Sequence, residues 1–139
     1  MIVSAVLMLV AAQAAPVDPA PPPPVVPTAR AAALAPPADW SRLPPMPWRE
    51  APVLTPDLTE FVAGEVREGR CPVDRNEIAV EVAVMMRRDG TVRAAVPRAI
   101  DCPTVEQFAA GLVTSFARGN LRRAAGGWYL ASLTFDWAR

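Results

Sequence analysis

Residues 77–96 read EIAVEVAVMMRRDGTVRAAV, and this stretch decides the fold. Ile78, Val80, Val82, Val84 and Met86 recur at every second position, which puts all five on one face of a strand. Asp89-Gly90 supplies turn chemistry, and Val92, Ala94 and Val96 resume the period of two. A two-residue turn would set Val92 opposite Arg87, on the wrong face. A three-residue loop, Arg88-Asp89-Gly90, instead pairs Met86 with Val92, Val84 with Ala94 and Val82 with Val96. A one-residue slip turns every side chain over, so the sequence predicts the second register. Gly90 then takes the left-handed position of a bulged turn, where a residue without a Cβ meets no clash.

Helical periodicity flanks this hairpin. Upstream, Thr55-Pro56-Asp57 opens a helix, with Asp57 and Glu60 at capping-box spacing. Leu58, Phe61, Val62, Glu65 and Val66 follow the i, i+3, i+4 rule, and Gly69 is a natural stop. Downstream, Thr104 and Gln107 repeat the capping-box spacing behind Pro103. Val105, Phe108, Ala109, Leu112, Val113 and Phe116 form the apolar stripe of a second helix, closed near Gly119-Asn120. Residues 128–137, WYLASLTFDW, alternate as a last strand whose heavier face is Tyr129, Leu133, Phe135 and Trp137.

The order helix, strand, strand, helix, strand restricts the topology. The second strand, second helix and last strand make a crossover, which demands parallel strands with room for one between them. The first hairpin strand is the longest and most apolar, so it belongs in the middle. The expectation is an α+β domain over residues 55–139, with two helices on one face of a three-stranded antiparallel sheet of order 2-1-3. The last strand then lies at an edge.

Such a module is close to the size below which one core is insufficient. Cys71 and Cys102 address the shortage: each precedes a proline, one just before the hairpin and one just after it. In the 2-1-3 layout both fall at the same end of the sheet. An even cysteine count in an exported chain favours a disulfide, worth about 3 to 4 kcal/mol on the chain-entropy model. Two cysteines in a chain without histidine make a poor zinc site, and the spacing is not that of a CxxC redox pair.

Export is read from the N-terminus. Ile2 to Ala12 is an apolar run of signal-peptide length followed by the small-x-small pattern Ala12-Gln13-Ala14, so residues 1–14 read as a signal peptide. A short anchor that stays attached is the alternative, and membrane contact would then be through this segment alone. Residues 15–54 read as a spacer: most of the chain's 17 prolines lie there, including Pro21 to Pro24. Such a segment favours polyproline II and reaches on the order of 100 Å when extended. Trp40 and Trp48 are unusual in a solvated linker. Either residues near 40 to 54 fold back onto the domain, or the rings belong to a partner-binding motif.

The composition excludes much chemistry. With no histidine and no lysine, the chain cannot build a Ser/His or Cys/His nucleophile, and arginine is not a general base. Carboxylates such as Asp101 and Glu106 stand at helix starts, where dipole effects account for them. Alternate faces separate Met85 from Met86, which argues against a soft-metal site. No cofactor, metal or catalytic residue is expected. Formal charge balances at zero, which with export disfavours nucleic acid as a partner. Arg118, Arg122 and Arg123 cluster between the second helix and the last strand, either as a solvated connection or as contacts to an anionic ligand.

The run from Cys71-Pro72 through the V-x-V-x-V strand, the Asp89-Gly90-x-Val92 turn, the second helix and the closing W-x-x-x-L-x-F strand resembles the TonB C-terminal domain, over about residues 55 to 137. That resemblance implies a small periplasmic module carried behind a proline-rich segment. The function expected is non-catalytic binding of an envelope protein partner, by main-chain hydrogen bonds along Leu130, Ala131, Ser132, Leu133, Thr134 and Phe135. The alternative is a structural envelope protein that engages the cell wall through its spacer and basic loop.

Overall fold

The computed structural model describes residues 19–24 and 34–138; the expected leader, residues 1–14, lies outside them. Five elements follow in order: α1 (Pro56–Arg67), β1 (Glu77–Met86), β2 (Val92–Pro97), α2 (Pro103–Ala117) and β3 (Gly127–Asp136). β1 is central and antiparallel to both neighbours, giving the sheet order β2-β1-β3. The alternating valines are the cause. Ile78, Val80, Val82, Val84 and Met86 are all buried, and they share one core with Val62 of α1 and Val105, Ala109 and Val113 of α2. Both helices therefore cover the same face. Phe108 links the layers, its ring 4.4 Å from Phe61 on α1 and 6.1 Å from Phe135 on β3.

The three-residue loop forms as the pattern requires. The Arg87 N–H donates to the Thr91 carbonyl at 2.9 Å, and Gly90 has φ of 82°. Met86 faces Val92, but beyond that pair the register departs from expectation. A bulge makes Arg93 an extra residue, so Val84 faces Ala95 rather than Ala94, and Val82 faces Pro97 rather than Val96. Ala95 thereby joins Val92 against the core, and the larger Val96 turns to the other face. α2 packs on this strand, and the inserted residue gives the smaller Ala95 the core-facing place.

The helix starts also differ. Thr55 and Cys102 are the N-caps, each followed by proline, and neither caps through its side chain. The expected boxes Asp57/Glu60 and Thr104/Gln107 thus each fall two residues too late. Instead Glu106 reaches back, its carboxylate accepting from the N–H groups of Ile100 at 2.8 Å and Cys102 at 3.1 Å. At the other end of α1, Gly69 has φ of 74°, and the Arg70 N–H donates to the Glu65 carbonyl while Gly69 donates to Val66. That is the double bond pattern of a Schellman stop. Cys71 and Cys102 are joined in a disulfide, with Cα atoms 4.8 Å apart, tying the end of α1 to the start of α2.

The folded unit begins before residue 55. Residues 40–50 fold back as a strap, as the tryptophans suggested, although Trp40 and Trp48 are only half-buried and Met46 is the side chain that goes under. The Arg98 guanidinium lies over the Trp40 ring at 4.4 Å and also pairs with Glu81 at 2.6 Å, pinning the start of the strap beside β2.

Candidate functional site

The strap meets β3 at one residue. The Met46 N–H donates to the Leu130 carbonyl at 2.9 Å, and the Leu130 N–H donates to the Pro44 carbonyl at 2.8 Å, a parallel bridge centred on Pro45. The chain then turns at Pro47, where the Trp48 N–H bonds the Met46 carbonyl, and leaves β3 to pair Trp48 with Leu121.

This bridge fixes which groups of β3 face outward. Backbone direction alternates along a strand, so Leu130, Ser132 and Thr134 aim their N–H and C=O away from β1. Ala131, Leu133 and Phe135 aim theirs at β1, opposite Val82, Val80 and Ile78, and bury their side chains in the core. Of the six residues expected at a partner interface, only Leu130, Ser132 and Thr134 are therefore available. The strap occupies Leu130. Among the described residues no other backbone group bonds Ser132 or Thr134 on the outer side, and both side chains are exposed.

The opposite sheet edge is a poorer template. β2 has six residues, a bulge at Arg93 and a closing proline, each of which interrupts a ladder. A groove of about 520 Å³ opens where β3 ends, lined by Leu54, Asp57, Glu60, Asp136 and Trp137.

Arg122 and Arg123 line one cavity of about 400 Å³ at the hairpin end of the sheet. Arg118 does not: it borders two neighbouring depressions beside α2 and β2. Arg49 and Arg88 complete the cavity, and neither was singled out by sequence because each comes from a distant segment. Sequence also understated Glu65. It lies on the buried stripe of α1, 5% exposed, and takes two bonds from Arg70, Nε to Oε2 at 2.7 Å and a terminal nitrogen to Oε1 at 2.6 Å. Those bonds from Arg70 hold the Glu65 carboxyl below its ordinary range against the opposing effect of burial, with a smaller contribution from Thr104. Arg70 also pairs with Glu68. Among the described residues, no helix is long and apolar enough to cross a membrane.

No protein-family model, curated protein or solved structure matches the chain.

Proposed function

We propose that this chain is an exported, periplasmic interaction module without catalysis, of TonB C-terminal type, that binds an envelope protein partner as a strand added to the edge of β3. The observation that carries the reading is the outward row Leu130, Ser132 and Thr134. Its first member already bonds an extended segment, and the next two lack backbone partners among the described residues. The order α-β-β-α-β and the sheet order β2-β1-β3 support the resemblance in residues 55 to 137.

Magnitudes limit what the backbone alone can do. Two outward residues offer four main-chain hydrogen bonds, each worth about 1 kcal/mol net, which is too little for stable binding after the entropy of association. Side-chain contacts must add to it, and the groove beside Leu54 and Trp137 lies where a strand paired to Thr134 would continue. The test is photo-crosslinking in the exporting cell from positions 132 and 134, with position 75 as control. The same partner should crosslink from both edge positions and be lost in Ser132→Pro, which deletes an outward N–H and leaves the β1 ladder intact. A partner that persists in folded Ser132→Pro protein rejects the edge as the binding surface.

A further inference from the structure

We propose that the cavity at the hairpin end of the sheet is a binding site for a phosphate-bearing anion. Three separate segments wall it: Arg49 from the strap, Arg88, Asp89 and Gly90 from the loop after β1, and Leu121 to Ala124 from the connection into β3. Four arginines thus line one space of about 400 Å³. Arg42, Arg67, Arg70 and Arg98 all have carboxylate partners. Among the described residues, Arg49, Arg88, Arg122 and Arg123 have none, and neither do Arg75, Arg87, Arg93 and Arg118; what sets the first four apart is that they line one cavity. The one acid in the wall, Asp89, is engaged within its own turn, accepting from the Thr91 N–H at 2.9 Å and the Thr91 hydroxyl at 2.6 Å.

The wall is held mainly by main-chain bonds, and of its four guanidiniums only that of Arg49 takes part. The Arg49 N–H donates to the Asn120 carbonyl at 2.8 Å, and its Nε donates to the Leu121 carbonyl at 3.0 Å. The Arg122 N–H donates to the Pro47 carbonyl at 2.8 Å, and Asn120 exchanges two bonds with the backbone of Glu50, at 2.9 and 3.0 Å. A Cβ at Gly126 would stand 3.2 Å from the Arg88 side chain and 3.3 Å from its backbone nitrogen, so the connection into β3 presses directly on the hairpin loop. The fold therefore brings like charges together through backbone contacts, against their mutual repulsion. A bound anion reverses that sign. Guanidinium forks take two oxygens each, and a phosphate group offers several oxygens to several forks at once, whereas a lone carboxylate leaves most of them unused.

This site is independent of the β3 reading. It lies at the hairpin end, while the open row from Ser132 runs toward Asp136, which pairs with Glu77 at the start of β1. The experiment uses the full mature chain and follows thermal unfolding in sodium pyrophosphate against sodium chloride at equal ionic strength. A parallel arm measures cosedimentation with phosphatidylglycerol-containing vesicles against phosphatidylcholine alone. Wild type and the control Arg75→Gln should gain Tm in pyrophosphate or bind the anionic vesicles. The double variant Arg122→Gln/Arg123→Gln should lose at least tenfold in affinity, with no loss of Tm in chloride. If that variant folds poorly, Arg88→Gln replaces it. Vesicle binding without a pyrophosphate response assigns the phosphate to a lipid headgroup, and the reverse assigns it to a soluble ester. No response in either arm, or an equal response in the double variant, overturns the proposal.

Discussion

At the residue scale, the pair Glu65–Arg70 combines burial with charge. A carboxylate on the inner face of α1 is tolerated because Arg70, placed by the Schellman turn, bonds both of its oxygens. The folded-state pKa of Glu65 is lowered, so its contribution to stability is complete above the unfolded value of 4.5 and is lost as pH falls through the lowered folded value. Arg70→Met should therefore reduce Tm clearly at pH 7. The deficit should shrink as pH falls from the unfolded value through the lowered folded value, below which Glu65 is neutral in both proteins. Melting curves of wild type and variant across that range check the sign; a deficit that grows toward acid pH would reject the pairing as the cause. Gly90 offers a backbone test. With φ of 82°, replacement by alanine should destabilise by about 1 kcal/mol without moving the sheet, measurable by urea unfolding.

At the scale of elements, the hairpin and the helices were legible because their signals are periodic. The alternation from Ile78 to Met86 determined the face, the loop length and, through the crossover rule, the sheet order. The bulge at Arg93 was not legible, because Val92, Ala94 and Val96 satisfy period two whether or not a residue is inserted, and that spacing does not distinguish Ala94 from Ala95 as the core-facing residue. The cap positions failed for a related reason: a proline at the first helical position shifts the N-cap upstream of every residue that matched the box. The disulfide was legible from the placement of two Cys-Pro pairs around the hairpin. Its sequence separation of 31 corresponds to about 3.5 kcal/mol on the chain-entropy model. Cys71→Ala/Cys102→Ala should lose about that much in denaturant unfolding, and labelling of the unreduced, denatured wild type should find no reactive thiol. Two reactive thiols would contradict the bond.

At the scale of the whole molecule, the strap joins the two surfaces, since it occupies Leu130 on the β3 edge and delivers Arg49 to the cationic cavity. Its role was hidden in the sequence because a proline-rich segment has the same composition free or docked; Trp40 and Trp48 hinted at docking, but the anchor is Met46, 5% exposed. The strap bonds β3 at a single residue and the segment around Asn120 and Arg122 at its other end, and Met46 is the buried side chain between these two attachments. Met46→Ala should cost about 2 kcal/mol or more, the usual range for a buried methionine. The loss should be local, because the Leu130 N–H leans on Pro44 whereas Ala131 and Leu133 lean on β1. Native-state hydrogen exchange separates these. In wild type the Leu130 amide should be protected and the Ser132 amide fast. In Met46→Ala, protection should fall at Leu130 and at Arg122, whose N–H donates to Pro47, while Ala131 and Leu133 keep theirs relative to global stability. A uniform loss at all four would mean that the strap unfolds only with the whole domain. A released strap would lengthen the open row to Leu130, Ser132 and Thr134, adding two main-chain bonds for an incoming strand.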